Sequence, residues 1–429
     1  MNYKETLEFL YSKLPAYQRI GKAAYKEGLG NTLALDSYFG EPHRRFKSVH
    51  IAGTNGKGSV SHMMASAFQE AGFRTGLYTS PHLRDFRERI RINGEMIPEE
   101  EVVSFVGKHQ GIIESVAPSF FELTVALAFD YFARMNVEIA VIETGMGGRL
   151  DSTNIITPLL SVITNIGHDH MEFLGDTIAK VAGEKAGIIK PGVQVVIGET
   201  DIETKPVFEE VAGKAGSPIY FADMNFDCSL ESFNPQSGTR GFNVISRAEG
   251  RSISGKIPLP GDYQAHNLKT LFQAFAVIDD MYRPSVAQII SGIERVTTST
   301  GLLGRWQVLR HNPMVICDTG HNREGLSFVT RQLAAMKYDR LHMVIGFVND
   351  KDLASVLPLF PKDAVYYFTR AAIPRALDEK LLQAGAAEYG LQGSTWPSVG
   401  SALDAALSSA NDDDLIFVGG STFVVAEVV

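Results

Sequence analysis

Ser48-Val49-His50-Ile51-Ala52-Gly53-Thr54-Asn55-Gly56-Lys57-Gly58-Ser59 is the stretch on which the reading of this 429-residue chain turns. Ser48–Ala52 reads as a strand, and from Val60 to Ala71 apolar residues recur at helical spacing. A strand, a glycine-rich turn and a helix start, in that order, make a cradle for phosphate. Glycines let backbone N–H groups converge, the helix N-terminus adds partial positive charge, and Lys57 is long enough to reach the β- and γ-phosphates of a nucleotide. The loop departs from the common G-x-x-x-x-G-K-[ST] form: Ile51 stands where the first glycine belongs, and Gly58 separates Lys57 from Ser59. Thr54, Asn55, Gly56, Lys57, Gly58 and Ser59 are the candidate nucleotide contacts. An ordinary strand-to-helix turn is the plainer alternative, and it has no need of a lysine between glycines.

Working outward, the same texture repeats. Thr75–Thr79, Val137–Glu143, Leu160–Asn165 and Val193–Gly198 read as strands, most of them apolar on consecutive residues rather than alternating, which suits burial on both faces of a parallel sheet. Helical spacing fills the gaps at Phe121–Met135 and Thr177–Ile189, so a three-layer α/β domain is expected. Between Pro218 and Pro260 short strand-like pieces (PIYFA, RGFNVIS, RSISGKIPL) alternate with turn dipeptides and predict a small antiparallel insertion. Helical pattern returns at His266–Met281. Thr297–Gly304, short and rich in small residues, is the linker candidate. Beyond it, strands Met314–Asp318, His342–Gly346, Ala364–Phe368 and Leu415–Gly419 alternate with helices. The expectation is thus an N-terminal nucleotide-binding domain over residues 1–296 with a mostly parallel sheet, and a smaller, Rossmann-like α/β domain over 305–429.

Composition narrows the function classes. Forty Lys and Arg against 49 Asp and Glu give a net charge of −9. With no long basic run, the chain lacks the clustered cations that nucleic-acid binding needs. The opening MNYKETLEFLYSKL carries charges where a secretory leader needs an uninterrupted apolar core, and apolar runs such as Val125–Phe129 are too short to span a bilayer. Cys228 and Cys317, far apart, make neither a disulfide framework nor a zinc site. A cytoplasmic protein acting on small molecules is expected, without nucleic-acid or membrane partners. Closure of two domains within one chain needs no oligomer, so a monomer is the simplest form.

Ligands of open α/β sheets bind beyond the carboxyl ends of the strands, and several chemistry-bearing residues fall there. Glu143 closes a strand and is followed at once by Thr144-Gly145-Met146-Gly147-Gly148-Arg149; a carboxylate before glycines suits a hard cation close to phosphate. Ser80, in Tyr78-Thr79-Ser80-Pro81-His82, also follows a strand, and alone reads as a turn or cap. His168 and His170 flank Asp169 in a glycine-bounded loop, and composition does not choose between them. Lys185, in Glu184-Lys185-Ala186-Gly187-Ile188-Ile189-Lys190, is an ammonium, the wrong charge beside a metal ion. Its plain reading is a helix lysine paired with an acid.

Taken together, Gly53–Ser59, Glu143–Asn154, His168–Gly175, Glu184–Lys190 and Asp318-Thr319-Gly320-His321-Asn322 resemble the motifs of the folylpolyglutamate synthase/dihydrofolate synthase family, within the Mur ligase superfamily. The resemblance runs over nearly the whole chain. Gly58 favours this folate branch, since Mur ligases place Ser or Thr directly after the lysine. The residues ahead of Gly53 are also too few for their separate UDP-binding domain. Gly320 stands where the family more often has Ala.

The resemblance implies ATP and Mg2+ as cofactors, with room for a monovalent cation such as K+. Ser80, Glu143, His170 and Lys185 would be the metal-associated set, with Lys185 carbamylated into an oxygen donor. Lys57, His170 and Lys185 would be the catalytic residues. Asn267, in Gly261-Asp262-Tyr263-Gln264-Ala265-His266-Asn267, Arg305 and Asp318 would be further ATP contacts. Arg305 could clamp phosphate or simply tie the domains together. Ser119, Phe120, Phe121 and Glu122 would line a pterin pocket, joined by Leu150, Asp151 and Ser152, with His321 and Ser421 as second-domain contacts. Without the resemblance, the two phenylalanines read as core. The implied activity is ATP-dependent ligation of L-glutamate to dihydropteroate or to the tail of a folate, through an acyl phosphate. A Mur-type UDP-N-acetylmuramoyl-peptide ligase shares that chemistry. A nucleotide-binding switch without ligase activity would not need Glu143, His170 and Lys185 together.

Overall fold

The structure is a computed structural model and describes residues 1–15, 28–168 and 174–429. The chain divides into two compact units. The first comprises Met1–Ser229, Phe242–Lys256 and Ala265–Gly301; the second comprises Leu230–Gly241, Ile257–Gln264 and Leu302–Val429.

The main sheet of the first unit has eight strands in the order β4-β3-β2-β5-β1-β6-β7-β8. They are β1 (Lys47–Ala52), β2 (Thr75–Tyr78), β3 (Ile90–Ile92), β4 (Glu95–Met96), β5 (Ile139–Glu143), β6 (Leu160–Ile163), β7 (Val195–Ile197) and β8 (Ile219–Phe221). β2, β5, β1, β6, β7 and β8 run parallel, and β3 and β4 add an antiparallel edge. The expected parallel core is therefore present. The uninterrupted apolar runs follow from burial on both faces: Ala140 and Ile142 of β5 enter one core cluster with Leu123 and Phe129 of helix Phe120–Arg134, while Ile163, Val195 and Ile197 join another with Ala182 and Phe208.

One expectation is corrected. The PIYFA piece is not part of the antiparallel insertion: Ile219–Phe221 is β8, parallel to β7 at the sheet edge. The run is too short for its pattern to distinguish an edge strand from a hairpin strand. The antiparallel insertion is the three-stranded sheet β11-β10-β9, formed by β9 (Phe226–Leu230), β10 (Arg240–Ser246) and β11 (Ser252–Ile257). Part of the Thr297–Gly304 stretch is helical. Val296–Thr300 is a short helix docked on helix Lys57–Glu70, with the Ser299 and Ser66 hydroxyls 2.6 Å apart and Thr300 Oγ1 2.8 Å from His62 Nδ1.

The second unit carries a six-stranded sheet, β12-β13-β17-β14-β15-β16: β12 (Gln307–His311), β13 (Met314–Cys317), β14 (Leu341–Ile345), β15 (Val365–Phe368), β16 (Gly393–Thr395) and β17 (Leu415–Gly419). Only β12 pairs antiparallel. Alternate residues enter opposite cores: Leu415 and Phe417 on one face, Ile416 and Val418 on the other.

Candidate active site

β1 lies between β5 and β6, so the loops after β1, β2, β5, β6 and β7 all emerge at one edge of the parallel sheet. Gly53 (φ 147°) and Gly56 (φ 85°) take conformations that other residues rarely adopt, and both are also packed to contact. A Cβ on Gly53 would lie 1.9 Å from Thr164 Oγ1, and one on Gly56 would lie 2.3 Å from Asn267 Oδ1. Gly56 is the N-cap of helix Lys57–Glu70, whose first-turn N–H groups face the loop. The segment after β6 holds the loop's shape. Thr164 Oγ1 donates to Asn55 O (2.6 Å), the Asn55 amide donates to Asn165 Oδ1 (2.8 Å), and the Gly167 amide donates to Thr54 Oγ1 (2.9 Å).

Two ammonium groups converge on the cradle. Lys57 Nζ donates to Gly53 O (3.0 Å) and Thr54 O (3.1 Å), while Lys185 Nζ, on a side chain 4% exposed, donates to Gly53 O at 2.7 Å. Glu143 ends β5 in register with Ile51, is also 4% exposed, and accepts the Ser80 amide at 3.4 Å. The structure thus brings Ser80, Glu143 and Lys185 to the same sheet edge as the loop. His170 lies outside the described residues. Among the described residues no group of three or more His, Cys, Asp or Glu is arranged to hold a metal. The donors present still suit a hard divalent cation, with a buried carboxylate and a neighbouring serine. Lys185 as an ammonium does not, and as a carbamate it would.

Asp151 organises the glycine loop after β5. Its Oδ2 accepts the Gly145 (2.8 Å) and Met146 (2.9 Å) amides, and its Oδ1 accepts the Thr153 amide (3.0 Å) and hydroxyl. Burial pushes its carboxyl above the usual range, against these hydrogen bonds. The Thr153 hydroxyl also meets His50 Nε2 (2.8 Å), and burial, helped by Lys190, pushes that imidazole down to about 3 and keeps it neutral. Gly148 admits the helix Ile178–Ala186 to contact: a Cβ there would lie 2.8 Å from both Glu184 O and Lys185 O. Asn154 Nδ2 closes the seam by donating to Arg149 O and Gly187 O, each at 3.0 Å. Asp151 therefore shapes the loop with both oxygens, and Ser152 is buried while Leu150 is half-buried beside it.

At helix Phe120–Arg134, Ser119 and Glu122 form a reciprocal cap: Ser119 Oγ accepts the Glu122 amide, and Glu122 Oε2 accepts the Ser119 amide (2.6 Å) and Asn31 Nδ2 (3.2 Å). The two phenylalanines separate. Phe120 is core, stacked on Tyr11 with centroids 5.2 Å apart and lying under the Arg89 guanidinium. Phe121 is half-buried, its ring against Gly145, where a Cβ would come within 2.5 Å.

In the second unit, Asp318 follows β13 and is 2% exposed. It accepts from Tyr263 Oη (2.6 Å), the Trp306 amide (2.7 Å) and the Gly320 amide (2.7 Å). Burial raises its carboxyl above the usual range. Arg305 Nη1 donates to the Thr319 hydroxyl, and His321 Nδ1 lies 3.0 Å from Thr319 O, so Arg305, Asp318 and His321 share one loop cluster. Ser421 caps helix Thr422–Ala426 by accepting the Val424 amide at 3.2 Å.

Thr164 and Asn165, which hold the loop, and Glu199, which accepts from Asn165 Nδ2, were not anticipated from the sequence. The rule that singled out Glu143, a polar group at the carboxyl end of a parallel strand, applies equally to Thr164-Asn165 after β6 and Glu199 after β7.

A parallel-sheet unit with a phosphate cradle and a buried carboxylate at the neighbouring strand end, joined to a second α/β unit, is the architecture of a nucleotide-binding protein. The Mur ligase middle domain family matches residues 51–275, and the Mur ligase glutamate ligase domain matches residues 304–422. The chain belongs to the Mur ligase superfamily and, within it, to the dihydrofolate synthase/folylpolyglutamate synthase family. It is 32% identical to the dihydrofolate synthase/folylpolyglutamate synthase of Bacillus subtilis, over 87% of this chain and 86% of that protein. It is 33% identical to a probable bifunctional folylpolyglutamate synthase/dihydropteroate synthase of Haloferax volcanii, over 100% of this chain but only 50% of that protein. The chain thus spans about half the length of that relative. Among solved structures it is similar to Escherichia coli FolC in complex with DHPP and ADP (27% identity, 100% of this chain and 97% of that one, TM-score 0.83). It is also similar to a bifunctional folylpolyglutamate synthase/dihydrofolate synthase with Mn, AMPPNP and L-glutamate bound (25% identity, 100% and 97% coverage, TM-score 0.82).

Proposed function

We propose that this chain is an ATP-dependent ligase that joins L-glutamate to dihydropteroate, to the glutamate tail of a folate, or to both. The observation that carries the reading is the convergence, at one sheet edge, of the Gly53–Ser59 cradle, the buried Glu143 beside Ser80, and Lys185 on Gly53 O. The reading takes residues 1–296 as the nucleotide-binding domain and 305–429 as the glutamate-ligase domain, working as a cytoplasmic monomer. Mg2+, accompanied by a monovalent cation such as K+, would be held by Glu143, Ser80, His170 and a carbamylated Lys185; bound there, a divalent ion neutralises charge on the phosphate oxygens.

The loop amides and Lys57 hold the triphosphate and favour the charge that develops on the transferring group. A carboxylate oxygen of the pterin-linked acid attacks the γ-phosphorus, the bond to the β-phosphate bridging oxygen breaks, and ADP leaves. The glutamate amine then attacks the acyl carbon, inorganic phosphate departs, and the nitrogen loses a proton to give the amide. Phosphorylation is needed because a free carboxylate is a poor acylating agent. The half-buried Phe121 ring beside Gly145 supplies a flat apolar face for a pterin, and the Leu150–Ser152 turn, held to the same glycine loop by Asp151, borders it. Asn267, Arg305 and Asp318 serve the nucleotide, and His321 and Ser421 the second substrate.

The test is ADP release with ATP and either dihydropteroate, tetrahydrofolate or a UDP-N-acetylmuramoyl peptide, each with and without L-glutamate. Glutamate-dependent release with a pterin acid is expected. Release only with the UDP-peptide would assign the chain to cell-wall chemistry instead, and ATP binding with no glutamate-dependent release would leave a nucleotide switch.

A further inference from the structure

Beyond the loop itself, a chain of polar groups joins the cradle to the first turn of helix Gln264–Val277. Asn165 Oδ1 accepts the Asn55 amide (2.8 Å), Asn165 Nδ2 donates to Glu199 Oε1 (3.0 Å), and Glu199 Oε2 lies 3.3 Å from His266 Nδ1. His266 is next to Asn267, whose Oδ1 rests against Gly56 so closely that a Cβ there would lie 2.3 Å away. The path therefore closes on itself, leaving the loop at Asn55 and returning to it at Gly56, with every member in the first unit. The Asn165 amide is oriented from both sides, since one face must accept an N–H and the other must donate to a carboxylate. Burial pushes the Glu199 carboxyl up, but His266 and Asn165 outweigh it and hold it below the usual range.

We infer that Glu199 is a positioning residue for nucleotide: through Asn165 and His266 it sets the Asn55 amide and the Asn267 side chain in one fixed relation around the cradle. This rests on the reading of Gly53–Ser59 as the nucleotide site. An amide held in place needs no reordering when phosphate arrives, so loss of the circuit weakens nucleotide binding rather than glutamate use.

The test is ADP affinity by titration calorimetry, with the Michaelis constant for L-glutamate and the melting temperature measured alongside. Glu199→Ala is expected to weaken ADP binding about tenfold, as for one lost charge-assisted hydrogen bond, with the glutamate constant unchanged. Asn165→Asp keeps the acceptor for Asn55 but sets two carboxylates face to face, and is expected to lose at least as much. Adding Glu199→Gln to it rebuilds the contact with its polarity reversed, the Gln amide donating to Asp, and is expected to recover most of the loss. Wild-type ADP affinity in folded Glu199→Ala, or no recovery in the paired swap, overturns the inference. Failure of the wild-type chain itself to bind ADP overturns instead the nucleotide-site reading beneath it.

Discussion

Lys57 ends on two carbonyl oxygens of its own loop, 3.0 Å from Gly53 O and 3.1 Å from Thr54 O, so its charge is stationed at the cradle before any phosphate arrives. Removing it should spare the fold, because these bonds are local, and damage catalysis, because the charge that develops on a transferring phosphoryl group loses a fixed cation. Lys57→Ala is expected to lower ADP release by about a hundredfold or more with little change in melting temperature; turnover near that of wild type would contradict the assignment. His50 makes a prediction of a different kind. Folded, it stays neutral down to about pH 3, whereas an unfolded histidine takes up a proton near about 6.5. Between those values the unfolded chain binds the extra proton, so stability is lost as pH falls through the window. Asp151 works in the opposite sense: its carboxyl is raised in the fold, so its contribution weakens as pH rises through the folded pKa. His50→Gln should flatten the pH dependence of unfolding between about pH 4 and 6 by about one proton, or roughly 1.4 kcal/mol per pH unit. An unchanged slope in denaturant titrations would show that His50 titrates normally.

Gly148 shows how one element positions another. It lets the loop after β5 lie against the backbone of Glu184 and Lys185, which seats Lys185 at the cradle. Gly148→Ala forces that seam apart and is expected to cost about 1–3 kcal/mol of stability, with a larger fall in activity, measured by thermal melts and ADP release. A variant with wild-type melting and turnover would mean the seam is slack. The parallel core was legible in the chain because strands buried on both faces are apolar on every residue, as in Ile139–Ile142 and Leu415–Val418. β8 was misassigned because three residues, Ile219–Phe221, carry no period of their own. The edge strands β3 and β4 were not anticipated either: Ile90–Ile92 and Glu95–Met96 are too short to register as strands. Lys57 could be read from its glycine loop and Glu143 from its place at a strand end, whereas Ser80, a turn or cap residue by itself, joined them only through the family resemblance. Asp151's grip on the Gly145 and Met146 amides could not, since a side chain that caps a loop two turns away leaves no spacing to read. Nor could the division of Phe120 and Phe121 between core and half-exposed positions, which depends on what the next elements bring against each ring.

At the scale of the whole molecule, two units each build a mostly parallel sheet, and each sets polar side chains at or just past its strand ends: Glu143 and Asn165 in the first, Asp318 in the second. Family membership links that architecture to ligation driven by ATP, and the chemistry proposed for this chain depends on the nucleotide lying on the Gly53–Ser59 loop. The most direct measurement is a crystal structure with Mg2+ and a non-hydrolysable ATP analogue. The triphosphate is expected on the amides of residues 54–59 with Lys57 beside it, a divalent ion at Glu143 and Ser80, and carbamate density on Lys185 Nζ. A nucleotide bound away from Lys57, with no ion beside Glu143, would contradict it.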